Sequence, residues 1–398
     1  MIPRILYHHR TAAEDGQAVH IRSMLRAFAA EGAEVQEVGL VKRSVDAPPR
    51  ASQEEDGKGG FGLMELLPRF LRETAEYAYT GLARSRVLAV GRSFRPHFVY
   101  ERYAFGNAGG LAAAKRLRVP FFLEVNSPLV DELARTRGLS FPRLARRVER
   151  HVLAGSDRVC AVTGVLRDLL VELGAVRERI FVTPNGVDVE LYADPTDAEA
   201  RGAARRDLGI AELDDGAVVL GFVGYYRSWH RLELVLRAMA EPELSRAHLV
   251  LVGEGPARAE LEAESERLQL DARVHFVGPR RHDEVPRLLA AFDVGLVPAI
   301  NAYASPLKLH EYMAAGLPTV APDQPNLREV LVHERESLLF PPGDERALSE
   351  SLRRLVRDGE LRTRLGTEAR RRIDAQGLTW RANARRVLEE AASAGAFA

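Results

Sequence analysis

An α/β fold of doubly wound parallel sheets, in two successive halves, is predicted by three observations. Short apolar runs such as Ile5-Leu6-Tyr7, Phe121-Phe122-Leu123 and Val218-Val219-Leu220 alternate with amphipathic segments along most of the chain. These runs are apolar at consecutive residues, as strands covered on both faces are, rather than at every second one. The alternation restarts after 193–216, a polar stretch rich in Ala, Pro and charge, and 398 residues exceed what one core usually serves.

Composition removes several functional classes. Lys plus Arg and Asp plus Glu balance at 56 each, so no net field draws the chain to nucleic acid. With 46% hydrophobic and 28% charged residues it reads as an ordinary globular protein. Cys160, the single cysteine, sits in the strand-like Arg158-Val159-Cys160-Ala161-Val162 and is expected in packing rather than as a nucleophile. Without a disulfide framework the chain suits a reducing cytoplasm. The N-terminus runs into Ile5-Leu6-Tyr7 without a secretory pattern, and no apolar run reaches the roughly 18 residues of a membrane span.

In the first half, strands are expected near 3–8, 33–39, 97–100 and 119–125, with helices near 17–31 and 107–117. Residues 46–60, with Pro48, Pro49, Gly57, Gly59 and Gly60, read as a loop, and 63–92 as a long helix or helix pair. In open α/β sheets ligands collect beyond the carboxyl ends of strands. After the first strand, His8-His9-Arg10 leads to Gly16 and Gln17 at a helix start, where a glycine lets a phosphate approach the backbone. His8 and His9 have no third ligand at metal-binding spacing and are expected to pack and hydrogen-bond.

Glu101 and Arg102 follow Tyr100 at the next strand end, and Glu124 and Asn126, two apart and so on one face, follow Leu123; these four are candidates for a ligand cleft. Helix 141–153 carries Arg143, Arg146, Arg147 and Arg150, a solvated face on first reading, with weak peripheral contact to anionic lipid, or to an anionic acceptor, as the alternative. The half closes on Phe181-Val182-Thr183-Pro184-Asn185-Gly186-Val187-Asp188, a strand entering a turn.

In the second half, strands at 218–224, 248–252, 273–277 and 292–298 open into four loops. They are Tyr225-Tyr226-Arg227-Ser228-Trp229-His230, Gly253-Glu254-Gly255-Pro256, Gly278-Pro279-Arg280, and the segment to Ala304. The Gly253-x-Gly255 pair lacks the third glycine of a dinucleotide fingerprint. Arg227 offers a bidentate phosphate donor at a strand end. Helices follow at 344–358 and 361–375, with Gln376-Gly377 as a break and Thr379 as cap of a last helix.

Ser305-Pro306-Leu307-Lys308-Leu309-His310-Glu311-Tyr312-Met313-Ala314-Ala315-Gly316-Leu317-Pro318 specifies a helix of about ten residues, capped by Ser305, begun at Pro306 and stopped by Gly316. Free amides and the positive pole of the dipole lie at its start, and Lys308 adds a full charge there. That combination invites phosphate. Lys308 and Glu311, three apart, share a face on which the glutamate can accept from a sugar hydroxyl; a solvated amphipathic helix carries such a pair as well. Ser305-x-x-Lys308 also matches a β-lactamase motif, but Ser-Asp-Asn and Lys-Thr-Gly are absent.

The two Rossmann-like halves, Pro184-Asn185-Gly186-Val187-Asp188, Gly253-Glu254-Gly255-Pro256 and the donor helix with its Ser-Pro-x-Lys-x-x-Glu variant together resemble the retaining nucleotide-sugar glycosyltransferases of family four, with the GT-B fold, over all but about 41–95. The resemblance implies an acceptor domain at 1–190, a donor domain at 191–376, and a terminal helix, 377–398, that packs back on the first, with the active site in the cleft between them. It implies a hexosyltransferase-type enzyme of glycan biosynthesis with a nucleotide-sugar donor, a sugar-containing acceptor, no cofactor and no metal.

Carried over by position, Gly16 and Gln17 approach the donor diphosphate; Arg227, His230 and Lys308 grip it, with Tyr226 beside them; Glu311 contacts the ribose. Gly253, Glu254, Gly255, Gly278 and Pro279 line the donor loops, Tyr303, Ser305, Pro306, Leu307 and Leu309 surround the transferred sugar and its phosphates, and Asn185 joins Glu101, Arg102, Glu124 and Asn126 in the acceptor or sugar cleft. Four places depart from the family pattern: Gly224-Tyr225 and His230-Arg231 replace Gly-Arg and Lys-Gly, Tyr303 stands at the first glutamate of the donor helix motif, and Asn126 stands at the usual histidine. An epimerase, a phosphorylase or a non-catalytic nucleotide-sugar sensor would use the same phosphate-binding groups.

Overall fold

The computed structural model describes residues 1–11, 16–39, 68–214 and 216–397. By its contacts the chain divides into two compact units, one formed by the described residues up to Pro184 together with those from Trp380 onward, the other by Asn185–Thr379.

The first unit carries β1 Arg4–His8, α1 Gly16–Ala30, β2 Glu34–Val38, α2 Arg69–Phe94, β3 Phe98–Arg102, α3 Gly109–Leu117, β4 Phe121–Val125, α4 Leu129–Thr136, α5 Pro142–Gly155, β5 Arg158–Ala161, α6 Gly164–Glu172 and β6 Ile180–Val182. All six strands are parallel, in the order β2-β1-β3-β4-β5-β6. Strands β3 and β4 are buried along their whole length, as their unbroken apolar starts require. The proposed loop 46–60 and the first residues of the proposed helix 63–92 lie outside the described residues; what is described is a single helix of 26 residues. Cys160 is fully buried in β5. The helix Trp380–Ser393 packs on α1, with the Trp380 ring edge-on to His20 at 4.9 Å, and Asn383 donates to the Pro184 carbonyl at 2.5 Å.

The second unit carries α7 Ala198–Asp207, β7 Val218–Val223, α8 Leu232–Met239, β8 Ala247–Val252, α9 Arg258–Arg267, β9 Val274–Gly278, α10 Val285–Leu288, β10 Val294–Leu296, α11 Leu307–Ala314, β11 Thr319–Pro322, α12 Pro325–Arg328, β12 Ser337–Phe340, α13 Glu345–Arg357 and α14 Gly359–Gln376. Its parallel order is β12-β11-β10-β7-β8-β9, so the winding reverses between β7 and β10, where such sheets open a crevice. Strands β11 and β12 were not anticipated. Each has only four residues, too few for a period, and Thr319-Val320-Ala321-Pro322 sits against a helix stop and ends in proline.

Helix α11 corrects the expected start. Ser305 is not its cap; Pro306 holds that position in an extended conformation, and the helix has eight residues. Its end is as expected: Gly316, at φ 68°, donates to Met313 at 3.0 Å while Leu317 donates to Tyr312 at 2.9 Å, the paired bonds of a left-handed stop. Two contacts fix its place. Val223 N–H donates to the Tyr312 hydroxyl at 3.0 Å, and the bare Cα of Gly366 on α14 lies against the Gly316 carbonyl.

A methyl group at Gly366 would collide with that carbonyl, which cannot move without shifting the end of α11. Gly366→Ala should therefore destabilise the unit by about 3 kcal/mol, the upper range of overpacking, despite the gain of about 1 kcal/mol in helix propensity. Denaturant titration followed by circular dichroism measures the balance, and a variant as stable as the parent would contradict this packing.

Candidate functional site

The loops beyond β7, β8 and β9 are laced together by backbone. Gly224 N–H donates to Val252 at 2.9 Å, Tyr226 N–H to Glu254 at 2.7 Å, Ala257 N–H to Tyr226 at 3.1 Å, and Gly253 N–H to Gly278 at 2.9 Å. Such approach needs glycine: a Cβ at Gly253, at φ 140°, would strike the Gly224 carbonyl.

Lys308 projects from the first turn of α11 toward this lacing. Its Nζ is sealed from solvent, has no hydrogen-bond partner among the described residues, and lies 3.6 Å from the centroid of the Phe222 ring. A side chain on Gly224 would press on it. Burial lowers its pKa to about 7, with Glu311 drawing it back only in part. No side chain caps the start of α11, so the Leu307 and Lys308 amides of its first turn bring partial positive charge to the same place. A cation, a dipole and backbone donors thus stand together without an anion.

The neighbours of Lys308 are held by contacts that sequence did not reveal. Glu311, 6% exposed, sits with Oε1 2.7 Å from His282 Nε2, in the turn after β9. Ser305 Oγ accepts from the Asn185 N–H at 3.0 Å, and the Asn185 amide donates to the Ser305 carbonyl. Asn185, expected in the sugar cleft, is thereby a brace for the approach to α11. Asn326 Nδ2 donates to the carbonyls of Asn301 and Ala304, at 3.2 and 2.7 Å, and holds the rest of that loop, with Tyr303 half-buried within it. None of these pairings has a spacing signature, since each joins separate elements.

Arg227 is exposed, its guanidinium 4.6 Å from the Tyr225 ring and 5.1 Å from the Trp229 ring. His230 N–H donates to the Arg227 carbonyl at 2.9 Å while Arg227 N–H donates to His230 Nδ1 at 3.4 Å. Burial first, then Lys308 and Arg227, push the His230 imidazole down to about 3, so it is neutral and no cationic grip on phosphate. Tyr226 is fully buried beside Phe222 and gives the site only its backbone. Leu309 is core, its N–H taken by the Pro306 carbonyl at 3.2 Å. Glu254 is engaged by Arg258 at 2.7 Å and by the Gly255 N–H at 3.1 Å, and so shapes its loop rather than reaching out of it. Pro306 is buried, Ser305, Leu307 and Gly278 half-buried, and Pro279 exposed.

In the first unit, Gly16 and Gln17 open α1 and are exposed, whereas the expected cleft carboxylates are sealed. Glu124, 1% exposed, receives Tyr7 at 3.3 Å, Tyr100 at 2.9 Å, His20 at 3.0 Å, Arg102 at 2.5 Å and Asn126 at 2.7 Å. Burial alone would raise its pKa, but His20 and Arg102 hold it far below the usual carboxylate range, so it stays charged and cannot shuttle protons. Glu101, fully buried, is bonded by His8 Nδ1 and by Asn107 at 3.2 Å, and His9 by Glu37 at 2.7 Å. Both carboxylates therefore organise the ends of β3 and β4 and are closed to an acceptor. Among the described residues no three His, Cys, Asp or Glu side chains form a metal cluster.

The chain has four lysines, Lys42, Lys58, Lys115 and Lys308, so side-chain NMR can separate them. Lys308 should titrate near pH 7 and move upward when inorganic pyrophosphate is added. A ligand-free midpoint above about 9, within the ordinary lysine range, would show that the ammonium is not sealed as described.

Two family models match the chain: a glycosyl transferase 4-like domain over residues 15–186, and glycosyl transferases group 1 over 205–372. A 2-deoxystreptamine glucosyltransferase of Streptomyces kanamyceticus is 28% identical over 256 residues, 63% of this chain and 64% of its own length. A D-inositol 3-phosphate glycosyltransferase of Stackebrandtia nassauensis is 32% identical over 294 residues, 68% and 62% of the respective chains. The chain thus spans a little under two thirds of these relatives. Among solved structures, Anabaena HepE in complex with UDP superposes with a TM-score of 0.70 at 18% identity, over 98% of this chain and 100% of that one. Sucrose-phosphate synthase from Thermosynechococcus elongatus gives 0.73 at 20%, over 97% and 98%. With two matched domains along its length and the two-sheet fold of these structures, the chain belongs to the GT-B glycosyltransferases of the family-four type.

Proposed function

We propose that the chain is a retaining, metal-independent glycosyltransferase that moves a sugar from a nucleoside-diphosphate sugar to an acceptor hydroxyl. The observation that carries this reading is the Lys308 ammonium, buried without a hydrogen-bond partner among the described residues, beside the uncapped start of α11 at the reversal point of the sheet. A diphosphate supplies the missing anion. The bond from the anomeric carbon to the diphosphate oxygen breaks as the acceptor oxygen bonds to the same face of the sugar, and the acceptor proton passes to a departing phosphate oxygen. Negative charge grows on the leaving group, and Lys308, Arg227 and the first-turn amides of α11 lie ready to stabilise it. Their combined charge does what a divalent ion does elsewhere, which is the ground for metal independence.

Glu311, held by His282, accepts from the ribose, and the backbone at 277–280 stands beside the base. Uridine diphosphate sugars are the first donors to test, because HepE is named in complexes with UDP and with UDP-glucose. D-inositol 3-phosphate and 2-deoxystreptamine open the acceptor panel on the same ground. We also propose a cytoplasmic site of action with weak contact to anionic membrane through α5, where Arg143, Arg147, Arg150 and Lys115 line an open groove of about 870 Å³. No helix among the described residues is long and apolar enough to cross a membrane.

A donor and acceptor panel read by mass spectrometry should yield a glycosylated product with the anomeric configuration of the donor, unaffected by chelator. Lys308→Ala should lower the rate about 100-fold or more, as losing one transition-state donor does. A rate unchanged within a few-fold would remove Lys308 from the mechanism, and acceptor-independent epimer formation would replace transfer by epimerisation. On flotation, liposomes containing anionic lipid should carry the protein and neutral ones should not, with Arg143→Ala/Arg147→Ala/Arg150→Ala abolishing the difference; equal flotation on both would sink the charge-based contact.

A further inference from the structure

The loop after β7 holds an arrangement that neither core packing nor the backbone lacing explains. Tyr225 and Trp229 are 54% and 45% exposed, among the most exposed aromatic side chains described, and their rings close on one group, the Arg227 guanidinium. We propose that Tyr225 and Trp229 are positioning residues that hold Arg227 as a preformed grip for the donor diphosphate. This inference rests on the nucleotide-sugar reading above.

The local geometry follows from what is buried. Tyr226 is drawn wholly inside and its N–H and C=O are taken by Glu254 and Ala257, so the residues before and after it, Tyr225 and Arg227, turn outward by the alternation of extended chain. The reciprocal bonds between Arg227 and His230 then close a single short turn, which returns Trp229 to the outward side. Arg231, at φ 54°, ends it.

The chemistry of the clamp matters more than its shape. Other arginines nearby are ordered by carboxylates: Arg258 by Glu254 at 2.7 Å, Arg281 by Asp283 at 2.5 Å, Arg231 by Glu233. A carboxylate fixes a guanidinium but also neutralises it and occupies its donor edge. Aromatic faces fix it without doing either, because they hold the plane of the cation and leave its N–H edge and its charge for an incoming anion. Among the described residues Arg227 has no salt-bridge partner, and the clamp is its only restraint beyond the backbone. The rings also connect it to the sealed lysine: Trp229 lies 6.1 Å from the His230 ring, His230 5.2 Å from Phe222, and Phe222 carries Lys308.

The test titrates UDP into the full chain and reads tryptophan emission and calorimetric affinity together. There are two tryptophans, and Trp380 is 3% exposed in the other unit, so an emission change absent from Trp229→Phe reports Trp229. Trp229→Leu and Tyr225→Leu should each weaken UDP about 3- to 10-fold, as expected for one cation–π contact at a partly exposed site. Trp229→Phe should stay within about twofold of the parent, and in the leucine variants kcat should fall as well as donor affinity, because the charge that Arg227 meets is largest in the transition state. Both positions are exposed, so thermal midpoints should not move. Normal UDP affinity in both leucine variants, or equal loss in Trp229→Phe and Trp229→Leu, would overturn the clamp while leaving the nucleotide-sugar reading intact. Failure of the parent chain to bind any nucleotide or nucleotide sugar would overturn that reading itself.

Discussion

An ammonium group sealed from water without a hydrogen-bonded anion is unfavourable, and among the described residues the second unit holds one. Burial brings Lys308 from the ordinary 10.5 to about 7, and the face of Phe222 is its nearest compensation. The unfolded chain holds that proton to about 10.5 and the folded one only to about 7, so between these values the unfolded state binds more protons and folding stability rises with pH. Below about pH 7 the folded state carries the buried charge and its cost. An anion reverses the balance: it restores the proton and turns a local strain into binding free energy. The glycine at 224 keeps the place beside Nζ clear, and no side chain caps the helix start next to it.

The first unit handles buried charge in the opposite way. Glu124 is surrounded by five polar partners from β1, β3, α1 and the turn after β4, and Glu101 by His8 and Asn107, so each carboxylate is satisfied before any ligand arrives. A buried charge so saturated is a device for positioning. It fixes Arg102 and Asn126 at the strand ends and His20 on α1, and removing it would leave these partners without their anion in the interior. Reading both glutamates as open ligands from their place at strand ends missed this, because the period of two says which face a side chain takes and not whether that face is covered.

What was legible follows the same line. The strands whose apolar runs are long and whose helices are bounded by glycine or proline were placed within a residue or two, and the stop of α11 at Gly316 was read correctly from local chemistry. The start of α11 was not, because the Ser305 hydroxyl had a better offer from Asn185, 120 residues away in sequence. His282, Asn326 and Phe222 escaped for the same reason: each acts on a residue brought near only by the sheet. Local signals carried the elements; long-range pairings decided which polar groups remained free.

That distinction bears on how the site works. Of the cations suggested by sequence for the diphosphate, His230 is neutral, and Lys308 and Arg227 have no carboxylate partner among the described residues. Both are held by aromatic faces instead, Lys308 on Phe222 in the interior and Arg227 between Tyr225 and Trp229 at the surface. Aromatic restraint orders a cation while leaving its charge uncompensated, so the reorganisation that an anion would otherwise have to drive has already occurred in the folded chain. A site built this way spends folding free energy to arrange charge in advance, and the transition state for departure of a diphosphate, where negative charge is largest, is the species that gains most from it.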